Sequence, residues 1–207
     1  MNAAAPSPPL APSERADLIT KDMVRWLERA VIGLNLCPFA KGVHAKGQIH
    51  YVVSAATGAE ALAQDLRREL ADLAAAPAEV RDTTLLMAPD CLQDFLEFND
   101  FLGLAEDVLE ELDLDGTLQI ASFHPQFQFA GTDAGDVTNC TNRAPYPTLH
   151  LLREDSIDRA VQAYPEAEAI YERNMEVLDQ LGMPGWQALD VGVSTAATTP
   201  ELPKDPA

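Results

Sequence analysis

Four short apolar runs, rich in β-branched and aromatic side chains, alternate with longer segments in which apolar residues recur every three or four positions. Short runs of this kind predict β-strands, whereas a period near 3.6 residues predicts amphipathic helices. The predicted strands cover residues 49–55, 83–88, 117–123 and 148–152. The chain therefore contains enough strands for one small sheet.

Five helices are predicted around these strands. They cover residues 13 to about 33, 58–75, about 90–115, 156–161, and a last segment from near Pro165 to Leu181. Pro38 prevents the first helix from simply continuing, because it lacks a backbone donor and disfavours helical dihedrals at Cys37. Gly182 and Pro184 are expected to stop the last helix.

The acidic segment 90–115 contains no Lys or Arg. Its apolar residues recur at helical spacing, so the acids are expected to form the wet face of an amphipathic helix. The predicted inner face consists of Leu92, Phe95, Leu96, Leu102, Ala105, Val108, Leu109 and Leu112.

The order of elements, α-β-α-β-α-β-β-α-α, indicates the fold class. The first three strands alternate with helices, which favours right-handed crossovers, and the last two are expected to be neighbours joined by a long loop. We predict an α+β fold, a small four-stranded mixed sheet with helices packed mainly on one face, as in a ferredoxin-like sandwich. A flavodoxin-like α/β sheet is the alternative.

The length of 207 residues suits one domain with a proper core. Residues 1–12 and 193–207 are rich in Pro and Ala and are predicted to be disordered tails. Residues 13–192 are then a single globular domain.

Charge and cysteine content narrow the expected partners and location. A formal net charge of -19 repels phosphate backbones, so no nucleic acid partner is expected. No run is long and apolar enough to cross a bilayer, no secretory signal is recognisable, and three widely spaced cysteines do not predict a disulfide framework. We therefore expect a cytoplasmic protein without a membrane partner, whose oligomeric state is left open.

Residues 122–154 form the segment where function is most expected. They contain two of the four histidines, one of the three cysteines and the isolated Arg143, in a loop longer than compact domains usually have. If the flanking strands are antiparallel, His124 and His150 lie near the same edge of the sheet. The expected sites are the two rims, His124 with Pro125 and residues 139–150, whereas residues 131–136 are typical of turns.

Several motifs also resemble a known family. The stretches LNLCPFAK, SFHPQFQF, DVTNCTNRAPYPTLHLLRE and IDRAV resemble the bacterial family catalogued as domain of unknown function 1415. The resemblance spans nearly the whole chain between the two tails. It implies a soluble bacterial protein of this size and implies no activity, since none is assigned to that family.

One hypothesis for the loop is thiol chemistry, in which Lys41 or Arg143 lowers the pKa of a neighbouring cysteine. The members would be Cys37 or Cys140 as nucleophile, His124 or His150 as base, and Asn139 or Asn142 as the orienting amide. The alternative is that these cysteines are small buried apolar residues, which Cys91 fits best.

A second hypothesis is a metal site. Sulfur and nitrogen ligands in a mixed set suit zinc, although no zinc-finger spacing and no HExxH motif is present. The candidate ligands are Cys37, His124, Cys140 and His150. Histidines near strand ends are otherwise most often hydrogen-bonded to the backbone.

A third hypothesis is an anion clamp, in which Arg143 binds a carboxylate or phosphate with help from Asn139 and Asn142. Tyr146 and nearby phenylalanines would wall the pocket. The alternative is that Arg143 pins the loop to backbone carbonyls, or to Asp133 or Asp136.

These hypotheses combine into one leading interpretation, a small enzyme that binds an anionic or polar metabolite under the 122–150 loop. Arg143 would bind the substrate, His124 would act as acid and base, and Cys140 or Cys37 would act as thiol or ligand. Two other classes stay open: a zinc or other transition-metal-binding protein, and a non-catalytic adaptor whose acidic helix docks a basic partner.

Overall fold

The computed structural model of the protein describes residues 10–163 and 169–194. The predicted tails, 1–12 and 193–207, lie largely outside these ranges, and so does Pro165, where the last helix is expected to open.

A four-stranded mixed sheet forms the centre of the fold. Its strands are β1 (Ile49–Val53), β2 (Thr83–Met87), β3 (Leu118–Phe123) and β4 (Thr148–Arg153). Their order in the sheet is β1-β2-β4-β3, with β1 parallel to β2 and with β4 antiparallel to both β2 and β3. The predicted α+β class, the mixed sheet and the antiparallel pairing of the last two strands are confirmed.

Six α-helices, one π-helical turn and one 3₁₀ helix are found in the described part of the chain. They are α1 (Pro12–Trp26), continued by a π-helix (Leu27–Ile32), α2 (Ala40–Ala45), α3 (Ala59–Ala75), α4 (Phe95–Glu111), a 3₁₀ helix (Val137–Asn142), α5 (Glu154–Ala163) and α6 (Ile170–Ala188). The two elements that the sequence does not predict, α2 and the 3₁₀ helix, are too short for a helical period to show. No helix within the described ranges is both long and apolar enough to cross a membrane.

Helices cover both faces of the sheet. The crossover helices α3 and α4 pack on one face, against Leu86, Leu149 and Leu151. On the opposite face, α1 and the π-helix pack against Leu85 and Met87. The expectation that helices pack mainly on one face is corrected, because helices cover both faces of the sheet. The reason is that β2 is buried at all five positions, so its side chains need cover on both faces.

The connection between β2 and β3 explains how parallel and antiparallel strands occur in the same sheet. The two strands are linked through α4, and β4 lies between them in the sheet. This is a split βαβ arrangement, which is the part of the fold that matches the ferredoxin-like expectation. It brings the end of β3 and the start of β4 together at one edge, with the long loop between them.

The last helix is interrupted at Gly182, where a stop is predicted, and a second helical segment follows. Gly182 has φ 65 and ψ 168, and α6 resumes beyond it as far as Ala188. The second half of α6 carries Trp186, which packs against the cluster beneath α1. The kink therefore positions a large aromatic side chain beside the loop.

We expect Gly182→Ala to destabilise the fold by about 1–3 kcal/mol, because glycine alone adopts this combination of φ and ψ without strain. Urea denaturation measures the loss. The matched control is Gly103→Ala in the middle of α4, where an added Cβ meets no atom within 4 Å. That variant is expected to be as stable as the natural protein or slightly more stable. Equal effects of the two substitutions would contradict a strained role for Gly182.

Candidate functional site

The segments that are predicted to carry function meet at one edge of the sheet. Phe123 at the end of β3 pairs with Thr148 at the start of β4, and Met87 at the end of β2 pairs with the same residue. In sheets with parallel strands, the carboxyl ends of the strands are the usual place for ligand sites. The loop from residue 124 to residue 147 starts and finishes at this edge.

His124 is completely buried between two rings of α4. Its ring centroid lies 5.5 Å from that of Phe95 and 5.1 Å from that of Phe98. Nδ1 accepts a hydrogen bond from the backbone N–H of Gln126 (3.0 Å), so Nε2 carries the proton and donates it to the carbonyl of Leu92 (3.1 Å). Burial lowers the pKa of His124. Both ring nitrogens are thus used by backbone groups, an arrangement that favours a structural role.

Asn139 holds the loop together from inside. Its side chain is completely buried, and its Oδ1 accepts hydrogen bonds from the backbone N–H of Phe129 (2.9 Å) and the hydroxyl of Thr132 (2.8 Å). Its Nδ2 donates to the carbonyl of Asp133 (2.9 Å). Asn139 therefore closes the turn that the sequence predicts around residues 131–136.

Asn142 joins the loop to the end of β3. Its Nδ2 donates to the carbonyl of Ser122 (3.3 Å), and its own carbonyl accepts from the backbone N–H of His124 (3.1 Å). Upstream, the carboxylate of Asp136 caps the 3₁₀ helix by accepting from the amide and hydroxyl of Thr138 (2.9 and 2.7 Å). These bonds lower the pKa of Asp136. The loop is a rigid structure with its own internal bonds.

Arg143 pins this loop and is half-buried beside it. Nε donates to the carbonyl of Phe127 (3.1 Å) and Nη2 to the carbonyl of Ala134 (2.7 Å). Within residues 10–163 and 169–194, no oxygen accepts a hydrogen bond from Nη1. The backbone carbonyl of Arg143 accepts from the indole Nε1 of Trp26 (2.8 Å). Arg143 thus holds the loop through backbone carbonyls, which is one of the alternatives that the sequence leaves open. The remaining N–H groups of its guanidinium can donate to another partner.

The three cysteines have different surroundings, and none has a low pKa. Cys140 is buried with Leu36 and Leu178, and burial raises its pKa although Arg143 lowers it in part. Cys37 packs at the margin of the cluster beneath α1, and Cys91 is buried on the α4 side; burial raises the pKa of both thiols. A nucleophilic thiolate requires the opposite shift, so the surroundings favour the alternative of small apolar cysteines.

The four candidate metal ligands do not share one environment. His150 lies on β4 facing the side of α1, 6.0 Å between ring centroids from Phe123, whereas His124 lies on the side of α4. Burial lowers the pKa of His150 to about 4. Cys37 and Cys140 belong to two different apolar clusters. No group of three or more His, Cys, Asp or Glu side chains suited to a metal ion occurs among the residues described.

Two further predicted binding residues also lie away from the loop's outer surface. Tyr146 is buried, and its hydroxyl donates to Oδ2 of Asp22 (2.8 Å). Burial, together with the bond to this carboxylate, raises the pKa of Tyr146. Lys41 is exposed on α2.

Asp22 is the important polar residue that the sequence interpretation misses. This carboxylate is completely buried in α1; besides Tyr146, it accepts from the amide and hydroxyl of Ser194 (2.9 and 2.5 Å) and pairs with Nη2 of Arg25 (2.9 Å). Arg25 also donates to the carbonyls of residues 190 and 192. Asp22 occupies an inward position of the helix, three residues after Ile19, and this pattern is the signal that could have identified it.

Two cavities flank the loop, and Pro125 and Arg143 lie between them. The first, of about 250 Å³, is here named the tryptophan cavity; its lining is Trp26, Pro125, Arg143, Ala144, Pro145, Trp186, Val191, Gly192 and Val193. The second, of about 420 Å³, is the glutamine cavity; its lining is Asp94, Phe95, Leu96, Pro125, Gln126, Gln128, Ala134 and Arg143. Within the part of the chain that the structure describes, Arg143 is the only cation that lines either of them.

Fold and site together define an α+β protein with a rigid polar loop at one edge of a mixed sheet and an arginine between two cavities. The chain belongs to the family described as Protein of unknown function (DUF1415), whose model matches residues 18–188. The resemblance found in the sequence motifs is thereby confirmed. No curated protein and no solved structure matches the chain significantly.

Proposed function

We propose that the protein binds a small anionic or polar molecule beside Arg143, at the cavities that flank its long loop. The observation that carries this proposal is the position of one guanidinium on the lining of both cavities. Arg143 is the only Lys or Arg between Thr117 and Leu152, in a chain of net charge -19. A cation that is isolated in this way attracts an anion that the rest of the surface repels.

The way in which Arg143 is held supports binding rather than only structure. Its bonds to the carbonyls of Phe127 and Ala134 fix the plane of the guanidinium before any ligand arrives. A fixed side chain loses little rotamer entropy on binding, so its remaining donors can hold an anion at low cost.

The proposal concerns binding, and it assigns no reaction. The ring nitrogens of His124 already bond to backbone groups, which gives no support to an acid–base role for it. The raised pKa values of Cys37 and Cys140 likewise give no support to a thiolate nucleophile. A docking role for the acidic face of α4 stays a prediction.

The test compares two arginines that have similar structural roles. Arg153 also donates to backbone carbonyls, those of Leu73, Ala76 and Arg81, but at the opposite edge of the sheet and outside both cavities. Arg143→Gln and Arg153→Gln are therefore expected to lose comparable stability. Titration with acetate, succinate or inorganic phosphate, followed by amide NMR, measures anion binding in each variant.

We expect at least one of these anions to bind the natural protein and Arg153→Gln equally well. Arg143→Gln is expected to bind it at least about ten-fold more weakly, because a charge-assisted hydrogen bond contributes about 1.5–3 kcal/mol. If no small anion binds, or if Arg143→Gln keeps full affinity while folded, the proposal is wrong.

A further inference from the structure

We infer that the tryptophan cavity takes a monocarboxylate with a small apolar body, with the carboxylate on Arg143 and the body between the two indoles. This inference rests on the proposed function and specifies its ligand class. Four features of the cavity support it: the chemistry of its walls, the number of its charges, its rigidity and its size.

Most of the described residues that line the tryptophan cavity have apolar side chains. Trp26 and Trp186 face it from α1 and α6, Pro125 and Pro145 come from the two ends of the loop, and the segment 191–193 contributes two valines. Aromatic and aliphatic walls of this kind bind apolar ligand atoms through burial and through ring contacts. A ligand that fills this space therefore needs an apolar part.

A single cation on the lining sets the charge of the ligand. Among the residues that the structure describes, Arg143 is the only charged one that lines the tryptophan cavity. Two of the five N–H groups of the guanidinium bond to carbonyls and one side-chain hydrogen bond joins it to Cys140, so about two donors remain for a ligand, enough for one carboxylate. The Asp136 carboxylate already interacts with this cation, so a monoanion suits the site better than a dianion such as phosphate, whose second charge no described residue of the lining pairs.

The glutamine cavity is a poorer place for the carboxylate. It also touches Arg143, but Asp94 lines it as well, and this carboxylate caps α4 by accepting from the amides of Leu96 and Glu97 (2.8 and 3.1 Å). A second carboxylate there meets a like charge. The anion is therefore expected on the tryptophan side of Arg143.

The walls are held in place before binding. The indole of Trp26 donates to the carbonyl of Arg143 and packs edge-on against Phe123, with 5.1 Å between ring centroids. The segment 191–193 is tied to α1, since Arg25 donates to the carbonyl of Gly192 and Asp22 accepts from Ser194. A pre-formed apolar space favours binding because little ordering is needed.

The volume limits the apolar body. About 250 Å³ lies below the range of about 300–1,000 Å³ that is usual for pockets of drug-sized ligands. A body the size of one aromatic ring or a short branched chain suits this space, and a fused or extended ring system does not.

The experiment uses four probes and the two tryptophans of the chain, which both line this cavity, so that their fluorescence responds to a ligand bound there. Phenylacetate has the ring and the carboxylate, acetate lacks the ring, phenylacetamide lacks the charge, and inorganic phosphate is a multiply charged anion. We expect phenylacetate to bind the natural protein at least about ten-fold more tightly than each of the others.

Two substitutions test the position without disturbing the loop. Val193 is 42% exposed at the rim of the cavity, so Val193→Asp places a negative charge beside the expected carboxylate without opening the core. We expect this variant to bind phenylacetate at least several-fold more weakly and phenylacetamide as before. The matched control is Val80→Asp, at a valine 69% exposed before the start of β2, which is expected to change neither affinity.

Failure of the inference differs from failure of the proposed function. If acetate or phosphate binds as tightly as phenylacetate in a manner that needs Arg143, the ligand class is wrong and the anion site stands. If phenylacetamide binds as tightly as phenylacetate, or if Val193→Asp and Val80→Asp behave alike, the carboxylate does not lie in this cavity. If no anion binds at all, both the inference and the proposed function are wrong.

Discussion

Replacing Asp22 with alanine is expected to destabilise the protein by about 3–5 kcal/mol, the largest loss that we expect from a single polar side chain. The carboxylate is completely buried, and it is the acceptor for Tyr146 and for both donors of Ser194. Its removal leaves buried donors without a partner and takes the ion-pair partner from Arg25. Denaturant unfolding measures the loss as a lower midpoint at unchanged slope.

The same substitution is expected to loosen one wall of the tryptophan cavity. Asp22 and Arg25 tie the segment that ends at Ser194 onto α1, and Val191 and Val193 of this segment line the cavity. Loss of the tie should therefore raise the mobility of the amides of residues 191–194 in NMR relaxation.

The control for Asp22 is another aspartate of the same region. Asp190→Asn removes an exposed ion pair with Arg29, and it should cost less than about 1 kcal/mol because exposed pairs contribute little. Asparagine also tolerates the left-handed backbone of position 190, where φ is 52. A loss below 1 kcal/mol for Asp22→Ala, or equal losses for the two variants, would contradict the role given to Asp22.

The second large effect is a loss of stability in acid that depends on His150. Burial lowers the pKa of His150 to about 4 in the folded protein, against about 6.5 in the unfolded chain. Between these two values, the unfolded chain binds a proton that the folded protein does not bind. Stability should therefore fall as the pH decreases from about 6.5 to about 4, by up to about 1.4 kcal/mol per pH unit from this group, and it should be fully present above pH 6.5.

A variant without the imidazole isolates this effect from the titration of the carboxylates. His150→Gln keeps a polar side chain at the same place on β4, and its free energy of unfolding should fall less steeply across the same pH window. Unfolding in urea at several pH values measures both slopes. Equal slopes for the variant and the natural protein would show that burial does not suppress protonation of His150.

The strands could be predicted from the sequence to within two residues at each end, because each is a short β-branched or apolar run between turn residues. The observed β3 begins one residue later than predicted and β4 ends one residue later. Burial on both faces of the sheet is also encoded in the sequence, because Leu85, Leu86 and Met87 are consecutive apolar residues of β2 whose side chains alternate between the two faces. A prediction of helices mainly on one face leaves half of these side chains without cover.

The inner face of α4 shows where periodicity is insufficient. Leu96 is predicted to face inward and is 70% exposed, whereas Phe98 and Phe101 are buried and were not on the predicted face. The reason is the start of the helix: Leu92 has a left-handed backbone, and Asp94 caps a helix that begins only at Phe95. A helical period counted from Leu92, within the turn before α4, therefore assigns the wrong face to the first residues of the helix.

The segment that the sequence predicts to carry function lies beside both cavities, and several of its side chains have structural partners. His124, Asn139 and Arg143 are all bonded to backbone groups of the loop. Such partners depend on tertiary contacts over tens of residues, for example between His124 and the carbonyl of Leu92, which no local pattern encodes. Sequence therefore indicated which residues are special and could not separate support of the loop from contact with a ligand.

The most direct test of the central claim, that Arg143 binds an anion, is the Nε–H resonance of its guanidinium in NMR during a titration with phenylacetate. We predict a saturable shift of this resonance together with the two indole N–H resonances, since all three side chains line the tryptophan cavity. The corresponding resonance of Arg153, at the other edge of the sheet, should stay unchanged. An unchanged Arg143 resonance at saturating phenylacetate would contradict the claim.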